Sequence, residues 1–223
     1  MKRLFILCEG PTEEGFVNTI LGPHLYYSNI LAIPIICATK QTSIGKFKGG
    51  ICSYGKIKNE LTKLCKSDTT AIITTMFDYY GLPDDTPGIS IKTAIGDIYA
   101  KAKHIEREIE TDIGGLRNLF FNLTLHEFEG FLFTDTAAFS NIADRDIVIK
   151  LQQIKESFDT PEHINDSPIT APSKLVKKLI PTFSKPVNGV LIAQQIGLNT
   201  ISSQCKHFNE WLSKIQTIAN RKD

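Results

Sequence analysis

The chain has 223 residues and a mass of 24.9 kDa, enough for one well-buried core with at most a small appended unit. Its 42% hydrophobic and 22% charged content is that of an ordinary soluble globular protein. A formal net charge of +1 excludes any global electrostatic signature of a nucleic-acid binder, so such affinity has to come from local patches. The start, MKRLFILCEG, has a basic end, but its apolar run is only five residues long before Glu9 and lacks a small-residue cleavage site. No stretch is long enough to cross a membrane, and the expectation is a soluble, cytoplasmic protein. Cys8, Cys37, Cys52, Cys65 and Cys205 are scattered without a C-x-x-C pair, which suits a reducing compartment and argues against a structural zinc site.

In chain order, Leu4 to Cys8 has the apolarity of a buried strand, ended by Gly10-Pro11. Thr12 is placed to cap the following helix, whose positive end Glu13 and Glu14 suit, and Gly22-Pro23 should end it. Ile30 to Ala38 is a second β-branched run, and Pro34 within it predicts an edge strand or a bulge. Thr39 to Lys58 carries Lys40, Lys46, Lys48, Lys56 and Lys58 among glycines with no acid; it reads either as a solvated loop or as a phosphate-contacting one. Ile57 to Lys66 has the stripe of an amphipathic helix, and Thr70 to Phe77 is a buried strand that delivers Asp78 as the first delivers Glu9. Lys92 to Asp112 reads as a long helix closed by Gly114-Gly115, and Leu119 to Leu125 as a strand ending in His126-Glu127-Phe128-Glu129. Beyond Phe133 the pattern turns helical: Asp144 to Phe158, Ser173 to Ile180, Asn188 to Ile196 and Ile201 to Ala219. This order predicts an α/β fold with an open, mainly parallel sheet over residues 1–133 and a helical extension, 134–223, packed on it.

Three strands thus end in acids: Glu9, Asp78, and the pair Glu127 and Glu129. Parallel strands bring their carboxyl ends to one edge, where carboxylates that converge repel one another and invite a divalent cation with oxygen ligands, Mg²⁺ or Mn²⁺. From the first strand alone, Glu9 is equally readable as a solvated turn acid. Of Glu127 and Glu129, which share a face in a strand but diverge at a helix start, Glu127 is read as the inward one. Gly10 and Gly15 have P-loop spacing, but Phe16 and Val17 stand where that motif needs Lys and Ser or Thr, and Glu13 and Glu14 would repel a phosphate.

A hydrophobic strand ending in Glu-Gly, followed by one ending in an acid, resembles the TOPRIM fold of topoisomerases, primases and overcoming-lysogenization-defect (OLD) nucleases. EGPTEEGFV, GGICSYGKI, FDYYGLP, LHEFEGFLF, INDSPITAPSK and CKHFNEWL, in that order, resemble the bacterial family catalogued as domain of unknown function 4276 across essentially the whole chain. The resemblance implies a TOPRIM-like core in which Glu9 serves acid-base chemistry or metal organisation and Asp78 matches the first acid of an Asp-x-Asp motif. Tyr80 stands where the second acid belongs, so Glu127 or Glu129 is expected to supply the missing charge, with Asp84 or Asp85 as less favoured substitutes.

The activity that the resemblance implies is that of a metal-dependent nuclease, a phosphodiester hydrolase of antiphage (antiviral defence) type. Its catalytic residues would be Glu9, Asp78 and Glu127, with Glu129 as a further ligand of Mg²⁺ or Mn²⁺. Lys46, Lys48, Lys174 and Lys185 are the candidates for holding DNA or RNA, and a separately encoded ATPase is the expected partner, self-association being left open. The alternative is a degenerate TOPRIM module that binds or regulates a partner without catalysis.

Overall fold

A computed structural model describes residues 1–37, 53–90, 96–164 and 170–220. Strands β1 (Lys2–Cys8), β2 (Ile30–Ile36), β3 (Ile72–Asp78) and β4 (Leu123–Thr124) form a parallel sheet in the order β2-β1-β3-β4. The chain leaves β1 toward one side for β2, then returns across β1 to β3 and continues outward to β4. Right-handed crossovers in opposite directions put their helices on opposite faces. One face therefore carries α1 (Pro11–Phe16) and α2 (Gly22–Tyr26), the other α3 (Tyr54–Ser67) and α4 (Ile98–Asp112). Alternation within β1 follows: Leu4, Ile6 and Cys8 enter the first core, and Leu7 the second, with Ile57, Leu61, Ile105 and Ile109.

The helices after residue 133 join the first core: α5 (Arg145–Glu156), α6 (Pro172–Leu179), α7 (Val190–Ile196), α8 (Leu198–Gln204) and α9 (Lys206–Ala219). Phe139, Leu151, Ile192 and Trp211 lie in one cluster with Leu4, Ile6 and Phe16. Trp211 Nε1 donates to Thr74 Oγ1 at 2.9 Å, tying α9 to the middle of β3.

Five boundaries differ from the sequence reading. The helix expected from Lys92 begins at Ile98, where Asp97 as N-cap accepts from the Ala100 N–H at 3.1 Å. The N-cap of α1 is Gly10, not Thr12, and Glu13 reaches back to accept from the Gly10 N–H at 3.0 Å, half of a capping box. Helical backbone then runs through Gly22-Pro23 to Tyr26, because a π-turn at Val17–Leu21 loosens the ladder just where the proline withholds its N–H. Gly22 is needed there: a Cβ would stand 2.8 Å from the Val17 carbonyl oxygen. The expected strand 119–125 pairs only at Leu123–Thr124 and at a single Ile73–Leu119 bridge. Thr75 explains the gap, since its hydroxyl donates to the Asn122 carbonyl (2.7 Å) and accepts from the Asn122 N–H (2.8 Å), replacing backbone partners. The expected helix 201–219 breaks at Cys205, where Glu162 accepts from the N–H groups of His207 and Phe208 (2.9 and 3.0 Å) and starts α9 afresh.

Pro34 does lie on an edge strand. Cys37 N donates to Cys8 O, so by alternation residues 35, 33 and 31 face β1 while Pro34 faces outward. Its missing donor thus costs no ladder bond.

Candidate active site

The reversal of direction between β1 and β3 makes their carboxyl ends a topological switch point, the crevice where open α/β sheets bind ligands. Glu9 follows β1, and Asp78 ends β3 alongside it. The two are coupled directly: the Asp78 N–H donates to Glu9 Oε2 at 3.0 Å, and the Glu9 N–H to the Met76 carbonyl at 3.1 Å. Asp78 Oδ1 accepts from the Phe128 N–H (3.0 Å), which fixes the start of the 3₁₀ segment Phe128–Thr134 beyond β4.

That segment separates the two glutamates. Glu129 turns inward and is 1% exposed, whereas Glu127 is half-buried and accepts from the Ser173 N–H (3.0 Å) in the first turn of α6. The sequence reading favoured Glu127 as the inward acid; the 3₁₀ turn places Glu129 there instead. Lys185, at the start of the π-turn Lys185–Gly189, brings its ammonium to 3.0 Å from both Asp78 Oδ2 and Glu129 Oε2. The Asp78 contact is a hydrogen bond, while fully enclosed Glu129 Oε2 meets Lys185 as an ion pair without hydrogen-bond alignment.

Glu13 completes the group, 3% exposed and within reach of the charges of Asp78, Lys185 and Glu9. Burial, then the charge of Asp78, push its carboxyl up to about 8, with Lys185 opposing. Burial likewise raises Glu129 to about 7, against the pull of Lys185 and with the push of Asp78 and Glu127. Asp78 is raised by burial, though Lys185 counteracts it. Burial works against the Lys185 charge, but Asp78, Glu129 and Glu13 outweigh it and hold the ammonium well above its ordinary value. Carboxylate charge therefore exceeds what one ammonium balances.

The sequence-predicted acids Glu9, Asp78, Glu127 and Glu129 thus come together. Glu13, assigned only to the helix dipole, belongs with them; its position three residues after Gly10 was the available signal. Lys185, expected to hold nucleic acid, is the counter-ion of the acids. Lys174 is exposed on α6, next to Ser173. Lys46 and Lys48 lie outside the described residues. Lys58, in α3, pairs with Asp112 at 2.9 Å.

An all-carboxylate donor set under mutual repulsion, with Glu129 Oε2 imperfectly satisfied, has the hard oxygen chemistry that Mg²⁺ or Mn²⁺ requires. Among the described residues no three His, Cys, Asp or Glu side chains already stand as a set for a metal. Between Asp78 and Glu129 it is Lys185 that supplies the positive charge.

No curated protein matches the chain. Among solved structures, the C-terminal region of the OLD protein of Xanthomonas campestris pv. campestris is similar over 97% of this chain and 98% of that one, at 15% identity and a TM-score of 0.44. The C-terminal region of the Burkholderia pseudomallei OLD protein is similar over 96% and 98%, at 16% identity and the same TM-score. The family described as domain of unknown function DUF4276 matches residues 8–216, nearly the whole length, and the chain belongs to that family.

Proposed function

We propose that this protein is a metal-dependent nuclease that hydrolyses phosphodiester bonds at the β1/β3 switch point. One observation carries the reading: at the carboxyl ends of β1 and β3 the carboxylates of Asp78 and Glu129 meet the ammonium of Lys185, Glu9 accepts from the Asp78 N–H, and the charges of Glu13 and Glu127 act on the same group. Glu9, Asp78 and Glu129 would hold Mg²⁺ or Mn²⁺, which supplies a Lewis acid for the scissile phosphate and lowers the pKa of water. Glu9, half-buried at the crevice, takes the proton of the attacking water. Lys185 is placed to release one carboxylate and meet the charge that develops on the phosphate. Exposed Lys174 extends positive charge from the site along α6 and holds the backbone of the substrate. A separately encoded ATPase is the proposed partner within an antiphage system.

Cleavage of single- and double-stranded DNA and of RNA, with Mn²⁺ or Mg²⁺ and with the proposed ATPase partner present, tests this. Glu9→Gln and Asp78→Asn are expected to abolish it while the fold persists; cleavage at full rate in both variants sinks the site.

The Lys185 ion pairs favour a second reading, a non-catalytic module in which the ammonium permanently replaces the cation. In that case calorimetric titration of Mn²⁺ gives no heat with wild type, and partner binding survives Glu9→Gln.

A further inference from the structure

Two rings stand directly beside the acids and take no part in the chemistry above. Tyr80 lies two residues after Asp78 in the 3₁₀ turn Tyr79–Gly81, and His126 immediately precedes Glu127. Their centroids are 5.2 Å apart with an interplanar angle of 27°, an offset stack. Tyr79 closes the group edge-on, 6.0 Å from Tyr80 and 6.3 Å from His126. The layering is asymmetric: His126 is 4% exposed and forms the backing, while Tyr80 is 37% exposed and presents the outer face.

The backbone is bent to make this stack. His126 has φ +61°, a left-handed conformation that a non-glycine residue adopts at a cost. A hydrogen bond from the Tyr80 N–H to the His126 carbonyl (3.3 Å) holds the two turns together. A glycine would fit this backbone with less strain, but it would leave Tyr80 without its backing ring.

A half-exposed aromatic face beside the acids matches the π-face of a nucleobase, which a single strand exposes at every base and a duplex only at its terminal pairs. Building on the nuclease reading, we infer that Tyr80, backed by His126, is a base-stacking platform that makes single-stranded nucleic acid the preferred substrate of this site. The position that carries an acid in the TOPRIM pattern then selects the strand state of the ligand.

The test is binding of a short single strand carrying 2-aminopurine, and of the matching duplex, to the full chain with Ca²⁺ as a non-cleaving cation. Stacking quenches the 2-aminopurine emission with wild type and with Tyr80→Phe. Tyr80→Ala loses the quench and about 5- to 150-fold in single-strand affinity, the usual range for one stacked base, while duplex affinity holds. Unchanged single-strand affinity in Tyr80→Ala, an equal loss on duplex, or no single-strand binding by wild type overturns the inference. The nuclease reading fails separately: single-strand binding that depends on Tyr80, without cleavage in Mn²⁺, leaves the platform standing and removes the enzyme. Cleavage of single strands by Tyr80→Ala at wild-type rate and affinity does the reverse.

Discussion

At the scale of single residues, Lys185 decides how much buried charge the site tolerates. Removing it as Lys185→Met leaves Asp78 and Glu129 facing each other without a counter-ion. Breaking a buried pair costs roughly 3–5 kcal/mol, but the Lys185 side chain keeps 30% exposure, so the loss in urea denaturation near pH 8 is expected at about 2–3 kcal/mol. Near pH 5 it shrinks, because the acids can then take up protons. The wild type carries its own pH dependence. Glu129 and Glu13 have folded values of about 7 and 8 against 4.5 unfolded, so the folded state binds more protons between these limits. The contribution of these two acids is then greatest below 4.5 and is lost as the pH rises through about 7 to 8, by on the order of 3 kcal/mol for Glu129 alone. Glu129→Gln removes that share, and a slope identical to wild type would falsify the assignment of Glu129 as an acid whose carboxyl is held up by burial against the pull of Lys185. His207 runs the same way on its own: burial pulls it down, but the hydrogen bond and charge of Glu106 raise it overall, so its contribution is present at low pH and lost as the pH rises past its ordinary 6.5.

At the scale of elements, buried glutamates take the place that backbone partners hold elsewhere. Glu162 accepts from the N–H groups of His207 and Phe208, the second and third residues of α9, and Glu162→Ala leaves both unsatisfied in a buried place. The expected cost is about 2–3 kcal/mol, read as an earlier urea midpoint with an unchanged slope. Glu110 and Glu106, one turn apart on α4, accept from the N–H groups of Phe121 (2.8 Å) and Leu123 (2.9 Å) on the outer edge of the sheet. They block that edge as Pro34 blocks the other. The double change of Glu106 and Glu110 to Ala should increase concentration-dependent association in sedimentation relative to wild type; sedimentation indistinguishable from wild type would mean that α4 alone shields the strand. The sequence made β1, β3 and the edge position of β2 legible, because apolar runs and a proline report burial and ladder position directly. It hid the shortness of β4, since a threonine hydroxyl that replaces backbone bonds leaves no periodic trace. The partners of Lys185 and the inward turn of Glu129 were equally hidden, being set by tertiary approach between segments far apart in the chain.

At the scale of the molecule, sheet and helical extension share one core, so the site is not confined to residues 1–133. The strands of the sheet present the acids, while α6 receives Glu127 and the turn before α7 delivers Lys185. Gly15 and Val190 set how closely the two halves meet, a Cβ at Gly15 falling 3.0 Å from the Val190 side chain. No helix among the described residues is long and apolar enough to cross a membrane.

The same arrangement has a consequence for biosynthesis. On the ribosome, Glu9, Glu13, Asp78, Glu127 and Glu129 all emerge before Lys185, and Trp211, which fastens α9 to β3, comes later still. The nascent sheet must wait with its carboxylates either protonated or hydrated, because the cation that lets them be buried together has not yet been made. Closure of the core and neutralisation of the site are therefore one late event, and a ribosome stalled before Lys185 holds a chain whose acids still face water.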